Sequence, residues 1–65
     1  MFTIGDHIEF ERTKNNETKV VSGEVVPMPK NQQHLINHVC IRLSDGSYRT
    51  YLRDQMTGIQ VAIIV

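Results

Sequence analysis

The sequence predicts an all-β fold built from five short strands. Three observations carry this. Apolar and polar residues alternate with period 2, as in Ile8-Glu9-Phe10-Glu11, which is the pattern of a strand with one dry and one wet face. Two β-type runs, Val39-Cys40-Ile41-Arg42-Leu43 and Tyr48-Arg49-Thr50-Tyr51-Leu52, flank an Asp45-Gly46 pair, a strong hairpin signal. No segment has the length and apolar spacing of a real helix.

Taken in order, Ile4-Gly5-Asp6 reads as a turn into a first strand at about 7–12. The segment Thr13–Thr18 contains Asn15-Asn16, and asparagine tolerates the positive φ that tight turns demand. A second strand is expected at about 19–26, with Gly23 marking a bulge or sharp bend inside it. Pro27-Met28-Pro29 ends that strand because proline cannot donate to a ladder, and the chain to Gln33 reads as a surface loop. The segment His34–His38 either opens the third strand early or forms one helical turn. The third strand is expected at about 37–43, with Val39, Ile41 and Leu43 on one face and Cys40 and Arg42 on the other. The fourth is expected at about 47–52. Arg53–Gly58 suits a short 3₁₀ turn, and a last strand follows at about 59–64. The expected core is Ile4, Ile8, Phe10, Val20, Val25, Val39, Ile41, Leu43, Leu52, Ile59, Val61 and Ile63.

A chain of 65 residues makes one domain, 1–65, near the lower limit for folding without staples. Dimerisation would enlarge its stability margin. The single cysteine, Cys40, rules out an intrachain disulfide and a Cys-rich metal site, and a lone thiol fits a reducing compartment. The start Met1–Asp6 lacks the basic and apolar regions of a signal peptide. No apolar run approaches the roughly 20 residues that span a bilayer. The expectation is a cytoplasmic protein with no membrane partner, the run Val61–Val65 being a buried closing strand.

Formal net charge is zero, yet the charges are graded along the chain. Residues 1–29 carry Asp6, Glu9, Glu11, Glu17 and Glu24 against Arg12, Lys14 and Lys19. Residues 30–65 carry Lys30, Arg42, Arg49 and Arg53 against Asp45 and Asp54. On this count a basic face belongs to the C-terminal half.

The strand order, with a modest loop, a Pro-rich loop, a tight hairpin and a short turn before the last strand, resembles that of SH3-like small barrels. The opening Ile4-Gly5-Asp6-His7-Ile8-Glu9-Phe10, with Ser22-Gly23-Glu24-Val25-Val26 behind it, is also similar to the front half of KOW-type small bacterial barrels. The resemblance covers most of the chain in architecture and about a dozen residues in motif. The expectation is a five-stranded SH3-like barrel or strongly bent sheet. The chain has no tryptophan and lacks the aromatic motif of the SH3 domains that take Pro-rich peptides, so that ligand is not carried over.

No catalytic signature is present. Ser22, Ser44 and Ser47 lack a nucleophile-elbow context, and no glycine-rich phosphate loop exists. Glu9 and Glu11 read as solubilising outward charges rather than an acid–base pair. No metal or other cofactor is expected. His34, His38 and Cys40 are the one grouping that an extended segment could bring together, and a zinc site normally wants three protein ligands. The richest candidate binding surface is Arg42, Tyr48, Arg49, Tyr51 and Arg53, because tyrosine and arginine dominate interface hot spots and also stack on bases and grip phosphates. Tyr48 and Tyr51 have opposite parity, so at most one of them shares a face with Arg42. Met28 and Lys30, in the Pro-rich loop, form a second candidate, with Met28 either an apolar anchor or a lid over the core. The expected function is a non-enzymatic binding module of bacterial or phage type that docks on a larger protein partner or on itself. The competing class is a nucleic-acid-binding barrel that uses the Tyr/Arg face.

Overall fold

The computed structural model describes residues 2–62. Five antiparallel strands form one sheet: β1 (His7–Lys14), β2 (Glu17–Val26), β3 (His38–Arg42), β4 (Tyr48–Leu52) and β5 (Thr57–Val61). Their hydrogen-bonded order is β4-β3-β2-β1-β5. Each strand except β5 therefore lies beside its predecessor. The expected all-β fold of five strands is present, and of the two forms expected, a barrel or a strongly bent sheet, the described residues form an open sheet with β4 and β5 as its edges. Strand β5 pairs with β1 through a register shift between Glu9 and Glu11.

The sheet is nonetheless strongly bent. Strands β1 and β4 are three places apart, about 14 Å in a flat sheet at the usual strand spacing. The Phe10 and Tyr51 rings on those strands meet edge to face with centroids 5.2 Å apart, so the sheet must fold over on itself. Gly23 permits the bend. At this point β2 passes from pairing with β1 to pairing with β3, Glu24 being opposite both His7 and Arg42. A side chain at Gly23 would collide with the Arg42 carbonyl and with Ile41 Cγ2, so only glycine lets the strands approach this closely.

Both hairpins follow their sequences. Lys14 pairs directly with Glu17, leaving Asn15 and Asn16 as a two-residue turn with φ of 53° and 63°. This is the geometry whose twist matches the flanking strands, and asparagine is among the few residues that accept it. The β1–β2 arm is consequently two residues longer on each side than expected. At the other hairpin Gly46 adopts φ 87°, and the Asp45 carboxylate accepts hydrogen bonds from the Ser47 amide at 2.9 Å and the Ser47 hydroxyl at 2.6 Å.

The core comprises Ile8, Phe10, Val25, Val39, Ile41, Tyr51 and Met56, with Phe2, Val21, Leu43 and Ile59 packed against it. Three expected core residues are instead exposed: Ile4 at 61%, Val20 at 62% and Val61 at 39%. Ile4 sits in the Thr3–Asp6 turn, which is closed by the Asp6 amide donating to the Thr3 carbonyl. Val20 lies opposite Glu11, and it is Val21, opposite Phe10, that faces inward. Val61 ends the paired part of an edge strand. Leu52 is half-buried on the other face, opposite His38. The expected core residue Ile63, and the last residue of the strand expected at 59–64, lie outside the described residues.

Cys40, expected on a wet face, is buried. The segment after β2 is tied to the sheet at Gln32 in the 3₁₀ turn Lys30–Gln32, which accepts a hydrogen bond from Thr50 on β4 at 2.9 Å. The segment 34–37 forms turns rather than an early strand, with Asn37 at φ 60°. The short turn expected before the last strand is the 3₁₀ turn Arg53–Gln55, and β5 begins two residues earlier than expected.

Candidate binding cleft

Strand parity decides where each charged side chain goes. On β1, Ile8 and Phe10 face the core, so Arg12 and Lys14 continue that same face beyond its end, while Glu9 and Glu11 point outward. Register places Lys19 opposite Arg12 and Glu17 opposite Lys14. On β4, Arg49 lies opposite Ile41 and Tyr51 opposite Val39, so both belong to the inward face as well. Because the sheet folds over, the end of the β1–β2 arm comes to face β4.

A cleft of about 520 Å³ lies between them, lined by Arg12, Lys14, Asn15, Glu17, Lys19, Val21, Arg49 and Tyr51. Its floor is the rim of the core. The Arg12 guanidinium sits over the Tyr51 ring, 5.4 Å from the centroid, a cation–π contact worth about 0.5–1 kcal/mol where solvent has access. Four cations thus line one concavity with Glu17 as the sole carboxylate. Among the described residues the one ion pair is Arg42–Glu24, so none of these four is held in an ion pair there. Arg12 and Lys19 are like charges directly opposite across an antiparallel pair, an arrangement that costs stability. Arg49 also acts on its own hairpin. The Ser47 hydroxyl and amide hold the Asp45 carboxyl below the ordinary aspartate range, and the Arg49 charge adds a lesser pull in the same direction.

The residues singled out from the sequence are divided among several places. Arg49 and Tyr51 line the cleft. Arg42 and Tyr48 are cross-strand partners on the opposite face, where Arg42 is paired with Glu24 and Tyr48 is exposed. Arg53 lies over the Phe2 ring, 5.1 Å from its centroid. Met28 is half-buried and, with Phe2, Ile4 and Cys40, lines a separate shallow groove, while Lys30 is exposed in its 3₁₀ turn. His38 and Cys40 share a face of β3, with His38 Nδ1 2.7 Å from the Ile36 carbonyl oxygen. His34 stands in the preceding turn, and no cluster of three metal-ligating side chains occurs among the described residues.

Arg12, Lys14 and Lys19 were not expected at a site, because the N-terminal half of the chain is acidic in sum. The signal was parity. Extending the inward positions Ile8 and Phe10 by two and four residues lands on Arg12 and Lys14. Compared with family models, with curated proteins and with solved structures, the chain matches none.

Proposed function

We propose that this chain is a non-enzymatic binding module that holds an anionic macromolecular partner in the cleft between the β1–β2 arm and β4. The observation that carries the reading is the convergence of Arg12, Lys14, Lys19 and Arg49 on one concave surface with a single carboxylate. A cleft lined by one sign of charge focuses potential and raises the local concentration of oppositely charged ligands, whatever the net charge of the whole protein. The meander order, the strong bend and the 3₁₀ turn before the last strand support an SH3-like architecture for the module.

The test is retention on immobilised heparin, a generic polyanion. The wild type should elute at higher salt than an Arg12→Glu/Arg49→Glu variant. A Lys30→Glu/Arg53→Glu variant, with the same change in net charge but outside the cleft, should elute close to the wild type. Equal losses in both variants would mean that overall charge, not the cleft, governs binding, and the reading would fall.

A further inference from the structure

Resting on that reading, we infer that the occupant of the cleft is the sugar–phosphate backbone of a single-stranded nucleic acid. The cations stand on two facing walls, Arg12, Lys14 and Lys19 on the arm and Arg49 on β4. A charged chain running between them is gripped from both sides, as positively charged grooves track single strands. Two of the four are arginines, whose planar fork binds a phosphate bidentately.

The apolar content of the cleft argues against an acidic protein segment. Protein interfaces draw their affinity from desolvated aromatic or aliphatic anchors seated in pockets. Here the apolar lining is Val21 and the buried Tyr51, already packed against Phe10 and overlain by Arg12. The exposed large apolar residues Ile4, Val20, Ile36, Tyr48 and Val61 do not line the cleft. Size selects the single strand. A cavity of about 520 Å³ equals a cube of about 8 Å edge, whereas a duplex is a rod whose major groove alone is about 12 Å wide. With Tyr51 occupied inside the fold, recognition falls on phosphates, so binding should be steep in salt and tolerant of sequence.

Fluorescence anisotropy with a labelled oligothymidylate of about ten residues tests this. With up to four phosphates neutralised, the logarithm of affinity should fall against the logarithm of salt with a slope of about −3, or about 60-fold between 50 and 200 mM. Lys14→Ala and Arg49→Ala should each flatten that slope by about 0.7. Lys19→Glu should weaken binding at least about tenfold while the variant stays fully folded by circular dichroism, and Arg53→Ala should change nothing. Tighter binding of the corresponding duplex would overturn the single-strand assignment. If poly-L-glutamate binds in the cleft with the same variant sensitivity and the oligonucleotide does not, the nucleic-acid inference fails and the module reading survives. If neither polyanion binds even at low salt, both fail.

Discussion

Replacing Gly23 by alanine is the sharpest perturbation of the bend that creates the cleft. An added Cβ would stand 2.5 Å from Ile41 Cγ2 and closer still to the Arg42 carbonyl oxygen. Ile41 is fully buried, so its side chain has no free space to retreat into. The Arg42 carbonyl belongs to β3, whose position is fixed by three paired residues of β2 on one side and five of β4 on the other. Overpacking of this kind costs about 3 kcal/mol at the upper end of its usual range. Loss of glycine's freedom in the unfolded chain returns about 0.4–1 kcal/mol, leaving a net loss of about 2 kcal/mol. A domain of this size is stable by about 3–10 kcal/mol, and its Tm moves about 4–8 °C per kcal/mol. Gly23→Ala should therefore melt about 8–16 °C below the wild type when followed by circular dichroism at a fixed protein concentration. Gly58→Ala is the control for backbone conformation alone. It has φ 61° but no atom within 4 Å of the added carbon, so its cost is that of the left-handed backbone alone, about 1–2 kcal/mol. A Gly23→Ala protein that melts within about 2 °C of the wild type would refute the close approach of β2 and β3, and with it the bend.

Two further outcomes follow from the same geometry. Lys19→Glu converts the like-charge pair with Arg12 into an opposite-charge pair, worth about 0.5–1 kcal/mol, so a thermal melt at low salt should show Tm rising by about 2–8 °C while cleft binding falls; a variant that loses stability would contradict the register. Asp45 has its folded pKa lowered, chiefly by the Ser47 hydroxyl, so its contribution to stability is present above the unfolded value of about 3.9 and is lost as pH falls through the lower folded value; Asp45→Asn should remove that part of the acid sensitivity in melts taken below about pH 4, and an unchanged acid profile would count against the Ser47 contacts.

Much of the fold was legible because its determinants are local. Asp45-Gly46 and Asn15-Asn16 name their turns through backbone conformations few other residues accept. Ile8 and Phe10 declare a buried face, and Gly23 marked a bend before any partner for it was known. What the sequence concealed was long-range. Val20 and Val21 are equally apolar, and only the pairing of Phe10 with Val21 settles which turns inward. Cys40 is buried among residues far from it in the chain, lining a groove with Phe2, Ile4 and Met28, a neighbourhood no period-2 pattern records. The cleft was hidden for a related reason. Counting charge along the chain placed the basic surface in the second half, whereas alternation sends neighbouring acids and bases to opposite sides of one strand.

Among the described residues no ladder joins the two edge strands of the folded-over sheet, which are linked by the short Arg53–Gln55 turn and by side chains packed across the opening. The Phe10–Tyr51 contact and the Arg12 guanidinium above it are the clasp on that open side. A ligand seated between Lys14 and Arg49 would act as a second clasp, bridging β1 and β4, which are not paired among the described residues. Occupancy and folding are then linked quantities: at a hundredfold excess over its dissociation constant, a ligand that binds only the folded form adds about 2.7 kcal/mol. For a chain this short that is a large share of its whole margin.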